Sequence, residues 1–182
     1  KLDTKISTKF KRSRQKKPEI ISLEQKKTIN AKSLENLDYL IYDVQGLGSR
    51  VDTAIKALNM VLNASAKSKI DLIILDRPNP LGGEILEGPI ADTSYGSNFR
   101  IYPIPTRYGL TTAELSLMAV QEKWLSMIPK IIIILMDGWT RDMYFDDTGL
   151  MWNISHPNIP NLETAILHTG MSIYESTNIS EG

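Results

Sequence analysis

The sequence predicts an open, mostly parallel α/β sheet with helices on both faces, and three observations carry that expectation. Short β-branched or apolar runs recur at 38–42 (DYLIY), 71–75 (DLIIL) and 131–136 (IIIILM). Between them lie stretches with helical spacing. Residues 50–66 (RVDTAIKALNMVLNASA) carry apolar side chains at 51, 54, 55, 58, 61 and 62, and residues 112–125 (TAELSLMAVQEKWL) at 113, 117, 118, 120 and 124. That spacing of three and four marks one helical face. Finally, the runs are nearly continuous rather than alternating, as in parallel strands buried on both sides. Strand alternating with helix is the signature of an open α/β sheet.

Each element has its own justification. The first strand ends at Asp43, and residues 45–49 (QGLGS) turn the chain into the first helix. The second strand runs into ILDRPNPLGG (74–83), where Pro78 and Pro80 hold the backbone extended and Gly82 and Gly83 permit a turn. Residues 101–105 (IYPIP) read as an extended, proline-limited edge segment. Thr111 or Thr112 is placed to cap the second helix. After residue 137 the chain is polar and loop-rich, with one modest helical candidate at 161–168 (NLETAILH).

Composition narrows the function classes. The chain has 182 residues, 42% hydrophobic and 23% charged, which suits one compact domain, or one domain plus part of another. With no cysteine, disulfides and thiolate metal sites are excluded. No apolar run approaches the roughly 20 residues that span a bilayer. The net charge of zero hides an asymmetry: residues 1–36 hold 11 Lys/Arg against 4 Asp/Glu, and the remainder hold 10 against 17. The basic cluster KFKRSRQKK (9–17) has no aromatic interleaving beyond Phe10, so residues 1–36 are expected to be a solvated, partly mobile segment with no nucleic-acid role. Residues 37–182 form the folded domain.

In open α/β sheets, ligands bind beyond the carboxyl ends of the strands. The three strands lead to Asp43, to Asp76-Arg77 and to Asp137-Gly138-Trp139, so their acids should converge on one edge, accompanied by Gln45, Asn79 and Arg141. Other site chemistries fit poorly. The turn Gly46-x-Gly48 lacks the third glycine of a dinucleotide fingerprint, Val51 standing there, and no lysine follows in phosphate-loop spacing. His156 and His168 lack metal-ligand spacing, and there is no G-x-S-x-G elbow. Carboxylates, amides, arginines and a tryptophan suit carbohydrate: acids transfer protons, amides meet hydroxyls and Trp stacks on a sugar face.

Five ordered segments carry a family resemblance: ILDRPNPLGG with EGP (87–89), PIPTRYGLT (103–111), DGWTRDMYFDDTGLMW (137–152), HPNIPNLETA (156–165) and ESTNISEG (175–182). Together they resemble the bacterial exo-β-N-acetylmuramidases of the NamZ type, long catalogued as a domain of unknown function. The similarity spans residues 37–182 and, more faintly, PEIISL (18–23).

The resemblance implies a Rossmann-like catalytic domain followed by a smaller C-terminal one. It also implies release of terminal N-acetylmuramic acid from the non-reducing end of peptidoglycan fragments, without a cofactor or metal, in the cell envelope or outside the cell. Asp43, Gln45 and Arg50 match its first strand-end motif, Asp76, Arg77 and Asn79 its second, and Arg107, Trp139, Asn178 and Glu181 the later ones. Glu181 is the first candidate for a catalytic carboxylate and Asp43 the second. Arg77 or Arg107 is a candidate for the lactyl carboxylate of muramic acid, since guanidinium meets carboxylate in a fork. Asp76 is expected to pair with Arg77 and shape the site. Trp124 is expected in the core.

The chain also departs from the family pattern. Gly46 stands where an acidic residue is typical, residues 51–54 (VDTA) where aromatics are, and Tyr108 where a histidine is. A Pro-Glu-His-Gly motif with a further candidate Glu is absent from residues 1–36, so the chain is expected to be incomplete at both ends. Those departures keep a second class open, a carbohydrate-binding or envelope module of the same fold without catalysis.

Overall fold

The computed structural model describes Ile20, Ser22 and residues 28–95, 100–152, 158–174 and 177–178. Most of the basic segment expected to be mobile lies outside the described residues. Strand β1 (Tyr39–Tyr42) pairs in parallel with β2 (Asp71–Leu75), and β2 pairs in parallel with β3 (Ile131–Ile134). Helix α1 (Thr53–Ser68) connects the first two, and α2 (Thr112–Gln121) lies in the second crossover. This is the open parallel α/β sheet the sequence predicts, in the order β1-β2-β3.

The register decides which side chains form the core. Leu40, Leu72 and Ile131 share one row across the sheet, and Tyr42, Ile74 and Ile133 the next row on the same face. Ile55, Leu58 and Leu62 of α1 and Leu115 and Ala119 of α2 pack on those rows. Leu62, Leu72 and Ile74 are wholly buried; full burial of such a side chain contributes about 1.5–3 kcal/mol.

The other face differs from the two-sided cover that the apolar runs suggest. Its row Ile41, Ile73, Ile132 leaves Ile41 64% exposed, and Ile134 is 51% exposed. Among the described helices only α1 and α2 pack closely on the strands. Right-handed crossovers that step one way across a sheet deliver their helices to the same side.

Local chemistry sets the helix ends. Asp52 caps α1 by accepting from Ala54 N (3.0 Å), and its other oxygen accepts from Leu47 N (2.8 Å). Residues 50–52 therefore belong to the turn, and the helix starts later than its apolar pattern. At the far end Lys69 takes a left-handed conformation, and Ser65 Oγ donates to Ile70 O (2.6 Å), tying α1 to the start of β2. Thr111, not Thr112, caps α2 in a capping box with Glu114. That helix stops at Gln121, short of residue 125, because Lys123 adopts φ +57°. Trp124 folds back and stacks on Tyr102 (5.2 Å between rings), in the core as expected.

Residues 101–105 form no strand. Pro103 and Pro105 remove alternate donors, so the segment buries Tyr102 and Ile104 without joining the sheet. A second small core gathers Leu47, Leu81, Ile159 and Ala165. Ala165 belongs to α3 (Leu162–Met171), which Asn161 caps by accepting from Thr164 N. No described helix is long and apolar enough to cross a membrane.

Candidate active site at the carboxyl edge of the sheet

Parallel strands bring their carboxyl ends to one edge, and Asp76 N donating to Ile134 O (2.9 Å) stitches the exits of β2 and β3 together. Asp43 leaves β1 and meets Arg77, which leaves β2. One carboxylate oxygen, Oδ1, accepts from Arg77 Nε (2.7 Å) and lies 2.6 Å from Nη2 in an ion pair, and the two side chains are 45% and 40% exposed. No described residue meets Asp43 Oδ2. Gln45 donates its amide to Gly46 O (2.8 Å) and Pro78 O (2.9 Å), lacing the first exit to the second.

Asp76 does not pair with its neighbour Arg77. Its Oδ2 accepts from Thr111 Oγ1 (2.9 Å) and its Oδ1 from Ala113 N (3.0 Å). Successive residues of an extended chain point to opposite sides, so Arg77 faces Asp43 while Asp76 faces the unpaired N–H groups that begin α2. The carboxylate serves the helix.

Asn79, 3% exposed, is spent on the frame as well. Its Nδ2 donates to Leu110 O (2.9 Å) and its Oδ1 accepts from Leu81 N (2.9 Å). Gly48 lies against it at φ +80°, where an added Cβ would fall 2.0 Å from Oδ1. Here the glycine is required by conformation and by contact.

Arg107 is enclosed. It donates to Glu87 (3.0 Å), to Leu81 O and to Tyr144 OH (3.0 Å), and lies over the Tyr144 ring. Its backbone also bridges to Ser49 and Glu87, so one residue joins three loops. Arg50 holds Thr106 through its backbone N–H (2.7 Å) and its Nη2 (3.3 Å); burial, then nearby Arg100, lowers its pKa.

Across the edge, Arg141 pairs with Glu114 and donates to Gly109 O (3.1 Å) and Gly83 O (3.4 Å), while Gly83 N returns a bond to Arg141 O (2.7 Å). Trp139 lies against Gly83, and its indole N–H is buried with no partner among the described residues. Asp137 and Asn178 are exposed, and Glu181 and His156 lie outside the described residues. The structure thus brings Asp43, Gln45, Arg77 and Asn79 together, with Arg50 and Arg107 behind them.

Several contributors carry little sequence signal. The pattern Thr-x-x-Glu at 111–114 gives Glu114 away as a capping partner, and Asp52 precedes a helical face. Glu87 and Tyr144 have no such mark, because only the fold brings them to Arg107. The described residues hold no group of three or more His, Asp or Glu able to hold a metal.

The sequence comparisons agree with this architecture. A family model described as exo-beta-N-acetylmuramidase NamZ, N-terminal, matches residues 2–163. The chain belongs to this family. It is 38% identical over 149 residues to peptidoglycan beta-N-acetylmuramidase NamZ of Bacillus subtilis (strain 168), a match covering 82% of this chain and 36% of that protein. Two crystal structures of DUF1343 family proteins from Bacteroides fragilis NCTC 9343 superpose on it. One has a TM-score of 0.77 at 35% identity, covering 81% of this chain and 39% of its own; the other has 0.72 at 31%, covering 82% and 41%. The chain therefore spans well under half the length of these NamZ-family relatives.

Proposed function

We propose that this domain belongs to a glycoside hydrolase that releases terminal N-acetylmuramic acid from the non-reducing end of peptidoglycan fragments, acting in the cell envelope or outside the cell. One observation carries the reading: an exposed carboxylate, Asp43, held through a single oxygen by Arg77 at the ligand edge of a NamZ-family sheet.

Hydrolysis of a glycosidic bond needs one carboxyl group to protonate the departing oxygen and a second to activate water or attack the anomeric carbon. Asp43, whose Oδ2 takes no hydrogen bond from the described residues, takes one of these roles. Glu181, outside the described residues, is proposed for the other. Arg77, with a fork already turned to a carboxylate, is the better placed of the two arginines to meet the lactyl group of muramic acid. Arg107, Asn79 and Asp76 hold the loops that present the site. Gln45 and Arg50 keep the first exit in register, Trp139 lies beside Gly83 at the second, and Asn178 is proposed to contribute to sugar binding.

A carbohydrate-binding module without catalysis is the second reading. It is favoured by the commitment of Asp76 to the α2 cap, which leaves few carboxylates free to serve the reaction. Assay of the gene's complete product on a chromogenic N-acetylmuramide decides between them. Release that depends on Asp43 supports the hydrolase; sugar binding in calorimetry with no release above background supports the module.

A further inference from the structure

Behind the Asp43–Arg77 pair lies a small pit bordered by Gly46, Gly48, Arg77, Asn79, Tyr108 and Thr111. It offers about 10 Å³ to the centre of a water, room for roughly one water-sized group. A sugar ring cannot enter it, but one oxygen of a sugar can.

Tyr108 is 7% exposed and packs into the main core, yet its hydroxyl has no hydrogen-bond partner among the described residues. The other core tyrosines bond within the protein: Tyr42 OH donates to Ala54 O (2.9 Å), and Tyr102 OH to Asn59 Oδ1 (3.1 Å). The hydroxyl is not among the sealed, partnerless polar atoms of the described core, and Tyr108 lines the pit, so a group entering the pit can supply its partner.

Gly46 and Tyr108 both border the pit. An added Cβ at position 46 would stand 4.0 Å from the Tyr108 hydroxyl. Positions 46 and 108 are therefore neighbours in space.

We infer that Tyr108 is a specificity residue, whose hydroxyl at the floor of this pit donates a hydrogen bond to a single oxygen of the bound sugar, a ring hydroxyl or the acetamido carbonyl. The inference rests on the proposed carbohydrate reading and adds a contact to it. Burial, with a lesser push from Asp52, raises the phenol's pKa well above its ordinary value. The group stays protonated throughout the working range, so it donates and does not act as a base.

Two variants of the complete protein test this, with N-acetylmuramic acid and N-acetylglucosamine as probes in titration calorimetry. Tyr108→Phe removes only the unpartnered oxygen, so the melting temperature should hold while binding of the preferred sugar weakens by roughly threefold to tenfold, the loss of one hydrogen bond. Where turnover is measurable, KM should rise with kcat unchanged.

Gly46→Ala fits the backbone, its nearest contacts being Asp52 Oδ2 at 3.4 Å and Ala54 Cβ at 3.7 Å. It should weaken the same sugar by narrowing the pit. Unchanged affinity in Tyr108→Phe overturns the inference and leaves the function reading in place, as does a drop in melting temperature matching the loss of binding. Failure of the wild-type protein to bind either sugar sinks the function reading and the inference with it.

Discussion

Asp43 and Asp76 each follow the last residue of a parallel strand, on adjacent strands, at the edge where such sheets bind ligands. Their surroundings differ. Asp43 sits in an exposed pair with one oxygen unengaged, whereas both oxygens of Asp76 are taken by the start of α2. The same division runs through the arginines, Arg77 being open and Arg107 enclosed. Position at a strand end is thus not enough to make a residue part of the chemistry. What separates face from frame is whether a helix N-terminus or a neighbouring loop claims the side chain first.

Substitutions on the two sides should divide accordingly. The largest effect is expected at Asp43. Asp43→Asn keeps the shape and removes the charge, so turnover of the muramide should fall by about 10²–10⁴-fold. Stability should change by no more than about 1 kcal/mol, since the pair is exposed. Equal turnover in the variant would remove Asp43 from the reaction and collapse the distinction.

Next comes Arg107→Met, which leaves Leu81 O and Tyr144 OH without their donor in a closed region. Hydrogen bonds to a charged donor contribute about 1.5–3 kcal/mol each, so a loss of about 2–4 kcal/mol in urea unfolding is expected. The Glu87 contact adds little because Glu87 is exposed. Asp76→Ala should cost about 1–2 kcal/mol through the lost cap, with turnover reduced only as far as the fold is. A variant at Asp76 that folds normally and has lost all turnover would move that carboxylate to the reacting side.

Much of this was legible in the sequence, and the residues show why. The apolar runs located the three described strands and the spacing of three and four located α1 and α2, because periodicity is a local property; α3 was only a modest candidate. The candidate edge followed from the strand ends alone. Asp76 was misplaced as Arg77's partner because adjacency in sequence is opposite orientation on an extended chain. The segment 101–105 looked strand-like because its apolar alternation is real, but its prolines spend that alternation on core packing. The exposure of Ile41 and Ile134 among the described residues could not be foreseen from composition, since exposed Ile41 and buried Ile74 belong to equally apolar runs. Tyr108 stands out in the sequence only as a departure from the family pattern; that its hydroxyl has no hydrogen bond among the described residues is a fact of three dimensions.

The smallest effect at neutral pH is the alkaline limit of the fold. Burial is the first cause of the raised pKa values of Tyr42, Tyr102 and Tyr108, whose ordinary value is 10.0. The unfolded chain therefore loses these protons before the folded one does. Below about pH 10 both states hold the proton, and the stability these groups contribute is fully present. As the pH climbs above 10 toward the folded values, ionisation favours the unfolded chain and that contribution drains away. The melting temperature should accordingly be insensitive to these tyrosines between pH 6 and 9 and fall steeply above 10. Tyr108→Phe should make the fall shallower without moving the neutral value, because no internal bond is lost with its oxygen. An identical alkaline profile in the variant would mean that the Tyr108 hydroxyl reaches solvent freely enough to ionise in the folded state.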